Sequence, residues 1–251
     1  EIRLSLVGSE MCIRDRFVFT LTTFNSNAQD TIKDPLKKFD MFFENSFAFN
    51  ATRVNTNNTE FTTSNGDFTF KKNNFRPTFD FNVNFGWLID KKSSLYISAI
   101  KTGINFTTRS ANLMDENGNN LRLASNYLMI PLQYSIRRPI KFNTVKNNLY
   151  RAIEYSVGFY FSSPFYQKLD HPDNIDAAGA TSWFNYLKYG MIADIAFTAF
   201  NDEGHGHKFG LRFSGDFTSI TKFNDTENEL YPYFVNIGVF YNISNDYFKK
   251  K

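Results

Sequence analysis

Phe75-Arg76-Pro77-Thr78-Phe79-Asp80-Phe81-Asn82-Val83-Asn84-Phe85-Gly86-Trp87-Leu88-Ile89-Asp90 alternates almost without interruption. Phe75, Pro77, Phe79, Phe81, Val83, Phe85, Trp87 and Ile89 hold one parity. Arg76, Thr78, Asp80, Asn82, Asn84, Gly86 and Asp90 hold the other, with Leu88 the one apolar exception. Successive side chains of a strand point to opposite faces, so this stretch is a strand with one greasy face and one wet face. Its 16 residues far exceed the roughly 5–6 of an ordinary globular strand.

The pattern returns along the chain. The apolar parity is Leu128, Ile130, Leu132, Tyr134 and Ile136 in 128–137, and Ile153, Tyr155, Val157, Phe159 and Phe161 in 151–163. It is Leu187, Tyr189, Met191, Ala193, Ile195 and Phe197 in 185–199, and Phe209, Leu211, Phe213 and Phe217 in 208–218. In 233–243 it is Tyr233, Val235, Ile237, Val239, Tyr241 and Ile243. Two stretches are less tidy, 42–53 with Phe43, Phe47 and Phe49, and 94–109, which reads in either parity. For the latter, a two-residue turn at Lys91-Lys92 pairs Asp90 with Ser93, sends Tyr96, Ile100, Ile104 and Phe106 to the greasy side, and sets Lys101 diagonal to Asp80. The count is eight strands.

The links between them alternate in length. Residues 54–74, 110–120, 164–182 and 221–230 read as long polar loops, whereas 91–92, 138–148 and 201–207 are shorter. Long loops on one rim and short turns on the other are the mark of an up-and-down outer-membrane barrel, with both termini on the periplasmic side. The predicted fold class is therefore all-β, an eight-stranded antiparallel up-and-down transmembrane β-barrel. Phe75, Trp87, Tyr134, Phe161, Trp183, Tyr186, Tyr231 and Tyr233 suit aromatic girdles at the membrane surfaces. A soluble barrel of the lipocalin kind reverses the facing and lines a pocket with the Phe-rich parity. Periodicity alone leaves both open; strand length, an export segment and mid-strand charges on the wet face favour the membrane.

Composition agrees. Aromatic residues make up 18% of 251 residues while mean hydropathy is −0.39. No run approaches the roughly 18 apolar residues of a spanning helix. A net charge of +3, dispersed along the chain, offers no nucleic-acid surface. Residues 1–16 lack any usable period and resemble a translated sequencing-adapter tract; they carry the single cysteine, Cys12. Residues 17–29 read as the remainder of a signal peptide. A periplasmic tether (30–41), the barrel (42–243) and a short tail (244–251) complete the expected organisation, and the expected location is the outer membrane.

Phe79 to Gly86, Tyr127-Leu128-Met129-Ile130-Pro131-Leu132 and the strand Tyr233 to Ile243 resemble Gram-negative outer-membrane barrels, in particular the PorT-like outer membrane protein beta-barrel family. That resemblance implies outer-membrane lipid as surroundings and an envelope or secretion protein as partner. Many such barrels end on an aromatic residue; here Ile243 is followed by eight residues that include Phe248.

On the greasy parity, Phe79, Phe81, Val83, Phe85, Ile130, Leu132, Val157, Phe159, Ile195, Phe213, Ile237 and Val239 are expected to face lipid. An eight-stranded barrel is just wide enough inside to be filled by side chains, so an open pore is not expected. The wet parity places Asp80, Lys101, Glu154, Lys188, Asp194, Arg212 and Asp216 in the lumen, where burial demands that they pair. Asp194 and Arg212 should meet across the 201–207 turn. No nucleophile motif, phosphate-binding glycine pattern or ligand set for a cofactor appears, and the chain reads as a non-enzyme. His205-Gly206-His207 supplies two imidazoles without a third ligand, so a solvated turn is the reading there. Asp170-His171-Pro172-Asp173-Asn174-Ile175-Asp176 matches no calcium loop and reads as turn chemistry. A lipid- or ligand-handling barrel, either a soluble carrier or a membrane enzyme, is the competing function.

Overall fold

The computed structural model describes residues 39–55, 60–63, 66–70, 75–90, 96–115, 117–140, 150–170, 187–201, 203–218 and 233–248. Its strands are β1 (Met41–Asn55), β2 (Glu60–Thr63), β3 (Gly66–Phe70), β4 (Arg76–Asp90), β5 (Ile97–Asp115), β6 (Asn120–Pro139), β7 (Tyr150–Asp170), β8 (Lys188–Phe200), β9 (Gly206–Asp216) and β10 (Tyr233–Phe248). Eight of them close a ring. β1 pairs with β4, each of β4 to β9 with its successor in the wall, and β10 returns to β1, all antiparallel. Closure leaves no edge, so the backbone of the wall is satisfied without water.

Alternation sets the facing. In β8 the burial pattern alternates strictly between buried and open residues from Lys188 to Phe200. Phe79, Phe81, Phe85, Ile130, Leu132, Val157, Phe159, Ile195, Phe213, Ile237 and Val239 all lie exposed on the outer surface, with Val83 half-buried beside them. From Ile153 to Phe161 this apolar band climbs about 20 Å, given roughly 3.3 Å per residue and a tilt near 40°. Two hydroxyls on the outer surface bond the wall itself. Thr102 Oγ1 donates to the Pro131 carbonyl at 2.8 Å and Thr108 Oγ1 to the Phe79 carbonyl at 3.1 Å.

Three expected loops differ. The 110–120 link is not a long loop: β5 runs to Asp115 and β6 begins at Asn120, joined by a tight connection in which Gly118 takes φ 80°. The 54–74 link contains the β2–β3 hairpin, and β3 pairs with the end of β5. In the 164–182 link, β7 continues to Asp170, and 171–182 lie outside the described residues. For β5, β6 and β7 the physical reason is common. Outward positions such as Asn112, Arg122 and Lys168 are polar while inward Ala111 and Leu123 are apolar and buried, so the parity contrast reverses or fades.

Two registers also differ. Asp90 lies opposite Ser98, not Ser93, and Phe81 opposite Phe106. Through Phe81 the register is moved by four residues, an even number, so those side chains keep their faces, and a bulge between Leu88 and Asp90 adds one more residue at Asp90. Lys101 consequently sits opposite Gly86 and Asp80 opposite Thr107, which removes the expected diagonal. The 244–251 tail is largely strand, since β10 runs through Phe248, opposite Met41. Between Asn45↔Ser244 and Ser46↔Asn242 the extra residue Ile243 forms a bulge. It swaps the parity, turning Tyr247 inward and leaving Phe248 outside. The barrel thus spans 41–248 instead of 42–243, and Phe39, expected in the tether, is buried in its end.

Candidate functional site: the barrel lumen

The lumen is filled by side chains in tiers, the first of them at the end where β1 begins opposite the last residue of β10. Phe39, Phe42, Leu88, Ile97, Ala99, Phe200 and Tyr247 make an apolar stopper. The Phe42 ring presses on Gly86, where a Cβ would lie 1.9 Å from its Cζ, so only glycine fits beneath it. Arg137 roofs the stopper, 4.8 Å from the Phe200 ring centre and 5.1 Å from that of Tyr247. It donates to the Tyr247 hydroxyl and, at 3.1 Å, to Glu154 Oε2.

Glu154 is the hub of the next tier. Its Oε1 accepts from Lys208 at 2.8 Å and from Lys101 at 3.2 Å, so three cations converge on one carboxylate. Lys208 also bonds Glu44, and Lys101 donates to Ser156 at 2.8 Å. Above it, Asp194 lies directly opposite Arg212 across β8 and β9, joined by bonds of 2.8 and 3.1 Å. Gln133 donates to the same carboxylate at 3.2 Å, and Arg212 stands 5.2 Å over the Phe240 ring.

The far tier centres on Asp216. Arg109 Nη1 reaches Oδ2 at 2.6 Å, the Tyr160 hydroxyl donates to Oδ1, and Lys188 Nζ stands 3.9 Å away. Tyr127 and Phe234 present their rings to both cations, at 5.1 and 5.6 Å from Arg109 and 5.5 and 5.0 Å from Lys188. These ring faces offset part of the desolvation that two buried cations incur beside one carboxylate.

Six of the seven expected lumen charges, Lys101, Glu154, Lys188, Asp194, Arg212 and Asp216, therefore meet in ion pairs. Asp80 does not. It is buried on the opposite wall, bonds Thr107 and Asn50, and has no ion pair among the described residues. Glu44, Arg109, Arg137 and Lys208 complete the network and were absent from the expected set. Each continues the wet parity of its strand to a place where the alternation is untidy, ending or just beginning.

Asp80 belongs to a second kind of wall. The inner faces of β1, β4, β10 and part of β5 carry Ser46, Asn50, Thr52, Thr78, Asn82, Asn84, Asn105, Asn236 and Asn242, all buried. Thr52 donates to Asn236 at 2.6 Å, Asn82 to Ser46 at 3.0 Å and Asn236 to Ser214 at 3.1 Å. The Oδ1 atoms of Asn50, Asp80, Asn82, Asn84 and Asn105 have no donor from the protein.

The soluble-carrier reading fails on facing. It requires the Phe-rich parity inside, and that parity is outside; the buried parity is polar and charged. Phe75, Trp87, Tyr134 and Phe161 are exposed, as girdle residues should be. Trp183, Tyr186, Tyr231 and His171 lie outside the described residues, as does 171–176. An edgeless wall, an apolar exterior and a charged interior form the arrangement of an outer-membrane barrel.

No protein-family model matches the chain, and no curated protein matches it. Among solved structures, it is similar to the outer membrane protein OprG from Pseudomonas aeruginosa, at 9% identity over 84% of this chain and 97% of that one, with a TM-score of 0.42. Neisserial surface protein A (NspA) is 7% identical over 82% and 97% of the two chains, at 0.35. Ail, the attachment invasion locus protein of Yersinia pestis, is 8% identical over 82% and 99%, at 0.29.

Proposed function

We propose that the chain is a non-enzymatic outer-membrane barrel with a sealed lumen, acting as a structural, binding or envelope-assembly protein through the rim opposite its termini. One observation carries this reading: the interior is occupied from end to end by paired charges, amides and an aromatic stopper. A body so filled has no room for a solute path, which leaves the outer surface and the rim to act. The rim is where β5, β6 and β7 rise beyond the shorter β8 and β9 and take up the β2–β3 hairpin. Binding residues concentrate where a rigid scaffold presents variable segments. The finer reading, an association with protein secretion, is supported by the resemblance to PorT-like barrels. The expected surroundings are outer-membrane lipid, with the termini toward the periplasm.

The test is reconstitution. The chain refolded into lipid vesicles should shift its gel mobility on boiling and should admit neither sugars in a swelling assay nor steady ion current. Solute flux through the folded barrel would overturn the sealed lumen. Cross-linking from cysteines placed on the β2–β3 hairpin in native envelopes should then capture a protein partner. Release of free fatty acid from the vesicle lipid by the refolded chain would instead favour the enzyme.

A further inference from the structure

At the terminal end of the outer surface, β9 opens with two imidazoles on alternate residues. His205 is bridged to Asp246, and His207 follows one residue into the strand. Both rings are exposed and outside the apolar band, which begins on β9 at Phe209. Each is held by its Nδ1. That of His205 lies 2.8 Å from Asp246 Oδ1, and that of His207 lies 2.8 Å from the Tyr241 hydroxyl. His207 also stacks on Tyr241, with ring centres 5.7 Å apart and planes 15° from parallel.

We infer that His205 and His207 form an exchangeable site for a divalent transition ion that favours imidazole, of the zinc or nickel class. Three observations carry it. First, metal-ligating histidines commonly give one ring nitrogen to the ion and the other N–H to a carboxylate or similar acceptor, which fixes the ring. Here both second partners, Asp246 and Tyr241, come from β10. Second, no hydrogen bond to either Nε2 is found among the described residues, so both remain for a shared ligand. Third, the spacing suits chelation. Alternate strand residues lie about 6.6 Å apart. An ion with bonds of about 2.0–2.1 Å holds two nitrogens roughly 3.3 Å apart, so the two rings turn toward each other to share it.

No third His, Cys, Asp or Glu joins the pair among the described residues. Two imidazoles fill half of a tetrahedron, and water takes the remainder. The site therefore loads and releases its ion and does not hold the fold together, unlike a closed structural centre. Asp246 and Tyr241 act as positioning residues.

The test is calorimetric titration of the refolded full-length chain in detergent with nickel chloride, then with zinc chloride. One ion per barrel is expected. His205→Gln and His207→Gln should each weaken binding by at least tenfold, or about 1.4 kcal/mol. Asp246→Asn should weaken it about tenfold with both ligands in place, since loss of an orienting partner commonly costs 10–100-fold. His171→Gln should change nothing. Boiling-dependent gel mobility, unchanged in all variants, shows that the barrel has formed. A wild-type chain that takes up no ion, or a His205→Gln/His207→Gln double variant that binds as wild type does, would overturn the site.

Discussion

On the inner faces of β7, β8 and β9, each carboxylate meets cations: Glu154 three of them, Asp194 a two-point guanidinium, Asp216 an arginine and a nearby lysine. Across the lumen, β1 and β4 present mostly uncharged hydroxyls and amides, several with acceptor oxygens that no protein donor reaches. Both walls are equally buried and both follow the same alternation, yet they respond oppositely to loss of a member. A charge taken from the first wall strands its partners in a dry interior, where several kcal/mol per unpaired ion is at stake. An amide taken from the second removes a group that was itself poorly satisfied. One wall is interdependent, and the other is a row of separate residues.

The largest effect should come from Glu154→Ala, which leaves Lys101, Arg137 and Lys208 without their shared carboxylate. A destabilisation of at least about 3–5 kcal/mol is expected from urea titrations in lipid vesicles. A loss below 1 kcal/mol would show that the charged wall is not interdependent. Next is the outer side of the amide wall. Phe81→Asp sets a carboxylate within the apolar band and should cost a few kcal/mol, preventing insertion into vesicles. Normal insertion would refute the facing.

Gly86→Ala sharpens the contrast from the stopper. The added methyl displaces the Phe42 ring, and overpacking of this kind costs roughly 1–3 kcal/mol. The smallest effect belongs to Asn84→Ala, which deletes an unpartnered acceptor and should fall within about 1 kcal/mol of wild type in either direction. A penalty as large as that of Glu154→Ala would erase the distinction between the walls.

Much of this was legible in the alternation of Phe75 to Asp90 and its repeats, because parity decides facing whatever the register. The Asp90 pairing shows the limit. A two-residue turn is too short: the pairing lies four residues further on at Phe81, an even number that keeps the faces, and five at Asp90, past a bulge. Asp80 shows a second limit: parity places a carboxylate inside a barrel but does not say which wall supplies its partner, and the cations stand on other strands. Arg109, Arg137, Lys208 and Glu44 needed only the same parity followed to the strand ends. The tall β5–β7 wall was hidden because outward residues there, such as Arg122 and Lys168, are polar. The Ile243 bulge was hidden because one extra residue reverses the phase that the reading depends on.

That bulge bears on how the molecule is made. The β1–β10 seam joins residues 41–55 to residues 233–248, which are among the most distant stretches of the described chain, so it is the most entropically demanding pairing to form. The bulge turns Tyr247 into the lumen from this last strand, under Arg137. Zipping the seam and corking the barrel are therefore one event. Until it happens the Glu154 tier stays open to water and its ions need no partners. The charged wall becomes obligatory only at the final step of assembly, after the chain has been made to its last strand.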